Sequence, residues 1–190
     1  MSALGEKELK IKCSNLLKND FNIAENLCGF DMIYKKKVII DFMIFPKEHL
    51  IENGFDPVWF GLEVKHFGAP GQSGKMSRFL WQCVSYVQSE FNIDNRVIRP
   101  KCVLGFSDVE ESNHFNAESF RDYKIMWLSM VRLVAFAHVG ILKADISPKS
   151  TSTHNWSIWF STSLYFRRRD NDYNRMKYFI EKMNIGNCSN

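Results

Sequence analysis

The sequence predicts an α/β chain with a central mixed β-sheet flanked by helices, and three observations carry that prediction. Two apolar runs, 38–45 and 59–65, have strand length and are rich in β-branched and aromatic residues. Residues 75–91 and 120–142 carry apolar side chains at helical spacing instead. The two patterns interleave along the chain, as they must when helices cover the faces of a sheet.

Composition sets the bounds. The 190 residues are 45% hydrophobic and 24% charged, enough for one domain over 1–190 with a sizeable core. The net charge of +4 permits a polyanionic partner without demanding one. Cys13, Cys28, Cys83, Cys102 and Cys188 are scattered, with neither paired ligand spacing nor a secretory apolar segment ahead of them. Reduced thiols and an intracellular, cytoplasmic setting are therefore expected. Arg132 and His138 interrupt the apolar segment 120–142, so no membrane span is expected.

In chain order, residues 4–17 read as a helix with Leu4, Leu9, Ile11, Leu16 and Leu17 on one broad face. A first strand lies within 21–36, with Gly29 as its bulge, and Lys35, Lys36 and Lys37 form a charged turn before the second. The second strand, 38–45, stops at Pro46, and 47–56 is a loop punctuated by Gly54 and Pro57. The third strand covers 59–65 and runs into a glycine-rich stretch that lacks the spacing of a phosphate-binding loop. Then come the helix 75–91, a strand at 101–107 opened by Pro100, and the helix 120–142. A strand over 156–166 alternates Trp156, Ile158, Phe160, Leu164 and Phe166 with serines, followed by Arg167, Arg168 and Arg169 and a helix from about 172 to 183.

Charge inside the two central apolar runs is the functional clue. Asp41 sits in the second strand, and Glu63 and Lys65 in the third, the latter two sharing a face because strand side chains repeat every second residue. A charged group among buried neighbours is costly unless something neutralises or uses it. Two carboxylates can hold a divalent cation, and an ammonium can sit beside a metal-bound water. Of the acid-x-Lys tripeptides, Glu8-Leu9-Lys10 and Asp122-Tyr123-Lys124 lie outside strand-like runs, so context selects Glu63-Val64-Lys65. Asp31 competes with Asp41 but lies further upstream among less uniformly apolar neighbours.

Asp41 followed by Glu63-Val64-Lys65 resembles the active site of the PD-(D/E)XK nuclease superfamily, with Ile40 where a proline often precedes the Asp. Gln82-Cys83-Val84-Ser85-Tyr86, on the helix after that strand, looks like the Gln-x-x-x-Tyr signature of its RecB-like branches. Glu6-Lys7-Glu8-Leu9 is similar to the first helix of the Holliday-junction resolvases. The resemblance implies a restriction-endonuclease-like core, αβββαβ, here with C-terminal helix-strand-helix additions. It further implies a metal-dependent endonuclease acting on DNA. Asp41, Glu63 and the Val64 carbonyl would hold Mg²⁺ or Mn²⁺, with Glu8 at a second site and Glu6 and Glu25 as its rivals. Lys65 would be catalytic, and Gln82 and Tyr86 would bind substrate. A phage or mobile-element setting and a homodimer are compatible with it. The alternatives are a non-catalytic nucleic-acid-binding protein on the same fold, disfavoured by the complete Asp41, Glu63 and Lys65 set, and an RNA endonuclease of the cap-snatching type. That type usually carries a metal-binding His in its first helix, and no His here precedes His49.

Overall fold

Among the described residues, apolar alternation and helical periodicity resolve into four helices and ten strands. The computed structural model of the chain describes residues 5–67, 73–108, 121–144, 155–170 and 172–175. The order is α1 (Glu6–Leu17), β1 (Phe21–Asp31), β2 (Lys36–Pro46), α2 (Glu48–Glu52), β3 (Phe60–Lys65), α3 (Ser73–Val87), β4 (Ser89–Ile93) and β5 (Arg96–Ile98). It continues with β6 (Cys102–Ser107), α4 (Arg121–Ala135), β7 (Val139–Ala144), β8 (Trp156–Phe160), β9 (Ser163–Arg169) and β10 (Asp172–Arg175). All ten strands join one mixed sheet in the order β10-β9-β8-β7-β6-β3-β2-β1-β4-β5. The chain is thus α/β, as its sequence predicts. Pairing is parallel for β3 with β6 and β6 with β7, and antiparallel elsewhere.

The core lies in two layers. Against one face, Leu9, Cys13, Leu16 and Leu17 of α1 and Leu50 of α2 pack on Phe42, Ile44, Leu62, Val64 and Leu104. Phe55 centres an aromatic cluster in the same layer, its ring 4.9 to 6.2 Å from those of Phe21, Phe60, Trp156, Tyr165 and Phe166. On the other face, Met76, Phe79, Leu80, Cys83 and Tyr86 of α3 and Trp127 and Val131 of α4 cover Ile40, Met43, Val103, Val139 and Ile141.

Several elements differ from the sequence reading. Residues 48–52 form the short helix α2 within the expected loop. The helix expected over 75–91 stops at Val87, and Phe91 belongs to β4, antiparallel to β1. The apolar segment 120–142 divides: α4 ends at Ala135, His138 takes a left-handed φ of 60°, and Val139 begins β7. Gly29 is not a bulge. It pairs regularly with Val38 and Phe91, where an added Cβ would come within 2.5 Å of the Phe91 ring. The expected strand 156–166 is the hairpin β8–β9, with Arg167, Arg168 and Arg169 inside β9. Residues 172–175, expected to open a helix, are strand β10, and the rest of that segment lies outside the described residues. Among the described residues no helix is long and apolar enough to cross a membrane.

Candidate functional site

The sheet is locally broken at Asp41, and that break makes the site. Val38, Ile40 and Met43 all pack under α3, whereas Phe42 and Ile44 pack on the α1 face. Regular alternation would put residues 40 and 42 on one face. Beside it β1 switches faces at the same level: Ala24 and Leu27 both lie under α3, and Asn26 between them holds a φ of 52°. Asn26 and Asp41 drop out of the ladder, which resumes with Glu25 opposite Phe42 and Leu27 opposite Ile40. On the other side, pairing of β2 with β3 ends at Phe42 opposite Leu62, one step short of Asp41 and Glu63.

Side chains take over where the ladder stops. Val64 N–H donates to Asp41 Oδ2 at 2.8 Å, and the Asp41 backbone N–H donates to the Glu63 carboxylate. Asp41 and Glu63 are 8% and 7% exposed, so both carboxyls leave water almost completely. Glu63 Oε2 is buried with no hydrogen-bond partner. Burial first, and the neighbouring Asp41 charge second, push the Glu63 carboxyl up to about 8. Cys83, fully buried on α3, is pushed up by burial and then by Glu63 and Asp41.

Helix α1 brings charge to this rim. Lys65 Nζ donates to Glu6 Oε2 at 2.8 Å, and Lys10 Nζ donates to Asp41 Oδ1 at 2.5 Å. Burial draws the Lys10 ammonium down, but the hydrogen bond and charge of Asp41, followed by Glu6 and Glu63, outweigh it and raise its pKa. Lys10 therefore stays charged in contact with the buried pair.

The donor set suits a hard divalent cation. Two carboxylates meet at a backbone break, Glu63 Oε2 has no partner, and the Lys10 ammonium already rests against Asp41 Oδ1. Among the described residues no three His, Cys, Asp or Glu side chains converge. Such a cation would draw on these two carboxylates and on backbone or water oxygens.

No protein-family model, curated protein or solved structure matches the chain.

Of the residues singled out from sequence, Asp41, Glu63, Val64 and Lys65 come together. Glu8 does not join them: its carboxylate caps α1, accepting from Gly5 N–H at 2.9 Å. Glu6, the rival, holds Lys65 instead. Glu25 lies across a cleft from Lys10, near Ser14. Asp31 is fully buried but closes the β1–β2 hairpin, accepting from Ile33 and Tyr34 N–H at 2.9 Å each and from Ser85 Oγ. Burial pushes its carboxyl up, and these bonds more than reverse that, leaving it below its usual value. Tyr86 is buried and donates to the Ile39 carbonyl at 2.8 Å, fastening α3 to β2 two residues before Asp41. Burial and then Glu63 raise its phenol, and Gln82 hydrogen-bonds to it. The Gln82–Tyr86 pair thus braces the site from beneath. His66 lies 2.9 Å from the Asp108 carboxylate, which also accepts from Phe67 N–H.

Sequence reasoning does not reach Lys10. Its signal is the Glu6 to Lys10 spacing of one helical turn, which puts an acid and a base on the same side of α1.

Proposed function

We propose that the chain is a metal-dependent nuclease that hydrolyses phosphodiester bonds of DNA, endonucleolytically, through Asp41, Glu63 and Lys65. The observation that carries this reading is the buried Glu63 carboxylate with one oxygen unpartnered beside Asp41. A protein gains nothing in stability from such a group, and a cation site explains why it is kept. The succession α1-β1-β2-β3-α3-β6, interrupted by α2 and by the β4–β5 hairpin, with an antiparallel β1-β2-β3 meander and β6 parallel to β3, supports a restriction-endonuclease-like core.

In this reading Asp41 and Glu63, with the Val64 carbonyl, would hold Mg²⁺ or Mn²⁺. When bound, such an ion would supply Lewis-acid polarisation of the scissile phosphate and a water of lowered pKa. Lys65, its ammonium steered by Glu6, donates to the attacking water or to charge developing on the phosphoryl oxygens. Tyr86 positions β2 through the Ile39 carbonyl, and Gln82, hydrogen-bonded to it and part-exposed, is the member of the pair that would touch substrate.

The test is incubation of supercoiled plasmid, linear duplex, single-stranded DNA and single-stranded RNA with the protein, in Mg²⁺, Mn²⁺ or EDTA. DNA cleavage in metal alone is expected, and Asp41→Ala and Lys65→Ala should abolish it with unchanged circular dichroism. A folded Lys65→Ala protein that still cuts would contradict the assignment. Cleavage of RNA alone would move the substrate to the other nucleic acid.

A further inference from the structure

The proposed metal position is already served by a charge of the chain's own. Lys10 Nζ is 2.5 Å from Asp41 Oδ1, and its ammonium is also attracted by Glu63 and Glu6. The same carboxylates cannot bind this ammonium and a dication at full strength, because both cations draw on the same oxygens and repel one another. We infer that Lys10 is a resident counter-ion which a divalent cation must displace, so that α1 gates metal entry to the Asp41 and Glu63 pair. This inference rests on the metal reading above.

The geometry says how displacement happens. Helix α1 cannot move away cheaply, because Leu9, Cys13, Leu16 and Leu17 are between 0% and 4% exposed against the sheet. The Lys10 side chain is different. It is 32% exposed and rotates about four bonds, so it can leave while the helix stays. A cleft of about 340 Å³ opens beside it, lined by Ser14, Asn15, Glu25, Asn26 and Phe42. Glu25 offers the swung ammonium a new carboxylate at the rim, and Asn26 is the residue whose left-handed backbone sets the break opposite Asp41. One lysine therefore offsets the Asp41 charge beside the protonated Glu63 before metal binds and has a place to go afterwards.

The test is calorimetric titration of Mn²⁺ and, separately, Mg²⁺ into the full chain without nucleic acid, comparing wild type with Lys10→Met. Methionine keeps an apolar stem of similar length and removes the competing charge. Affinity of the variant is expected to rise on the order of tenfold. Thermal midpoints supply a second readout. Without metal the variant should melt below wild type, since the buried Asp41 carboxylate loses its cation; at saturating Mn²⁺ that gap should close. A merely structural role would leave the gap the same with and without metal. Equal or weaker affinity in the variant overturns the gate while leaving the metal site standing. Absence of binding to either protein removes the metal site and the gate with it. If Lys10→Met fails to fold, Lys10→Gln, which keeps a donor for Asp41 without the charge, gives the same discrimination.

Discussion

Glu63 is held out of water by the packing around it, and its protonation is the most direct reporter of the site. Its carboxyl sits at about 8 in the fold against 4.5 for a free glutamate, burial being the larger cause and Asp41 the next. Between those two pH values the folded, metal-free protein retains a proton that the unfolded chain has released. Stability must then fall as pH rises through that window, because the native state binds more protons. The thermal midpoint in EDTA should decline from about pH 4.5 to about 8, and Glu63→Gln, which carries no titrating proton, should flatten the decline. A wild-type midpoint that climbs across the same window would contradict the burial argument. Asp31 runs the opposite way at the other end of β1. It is equally buried, yet three donors are aimed at it, so its carboxyl is lowered and its charge is structural. Burial alone does not mark a site; burial with an oxygen left unpartnered does.

At the scale of elements, the two strands that carry the site and the helix α1 are legible in the sequence, but which charged side chains of α1 reach the site is not. Asp41 and Glu63 stand out because each interrupts an apolar run of strand length, a pattern needing no knowledge of tertiary contacts. Helix α1 offers no such contrast. Its N-cap is Gly5, which gives no side-chain signal for the start, and a shift of two residues in phase exchanges Glu6 for Glu8. Helix α4 was overextended for a related reason. No Gly or Pro separates Ala135 from Val139, and the turn uses His138 in a left-handed conformation that sequence patterns seldom flag. The face switch at Asn26 and Asp41 is a property of two strands together and is invisible in either. The assignments on α1 can be separated by a pair of variants. Glu8→Ala should cost about 1 kcal/mol of stability through loss of the cap, with cleavage unchanged. Glu6→Ala releases the Lys65 ammonium and should lower cleavage roughly 10- to 100-fold, with a smaller effect on the melting midpoint. Denaturant melts and single-turnover cleavage on the same samples measure both, and a reversed pattern would return the metal-side role to Glu8.

At the scale of the whole molecule, a buried knot ties the site-bearing half to the C-terminal hairpin. Asp20, 1% exposed in the turn between α1 and β1, accepts from Trp156 Nε1 at 2.7 Å and Arg168 Nη1 at 2.6 Å, and lies 3.0 Å from His49 Nε2. These partners come from β8, β9 and α2, so one carboxylate joins segments at opposite ends of the sequence. The arginine run 167–169 thus spends at least Arg168 inside the fold. Because α1 enters β1 through this turn, the position of Glu6 and Lys10 over the sheet depends on contacts made by the hairpin. Replacing Asp20 by Ala would take a shared carboxylate from the Arg168 guanidinium and the buried Trp156 indole N–H, a loss of about 3 to 5 kcal/mol. For a domain of this size that corresponds to a midpoint lower by roughly 10 °C. In wild type, the fluorescence of Trp156 and its neighbours and far-ultraviolet circular dichroism should report one shared transition, since the knot couples both halves of the sheet. In Asp20→Ala the fluorescence transition should come first, as the hairpin loosens before the α1 to β3 layer. Coincident transitions in the variant at the wild-type midpoint would show that the aromatic cluster around Phe55, not Asp20, holds the two halves together.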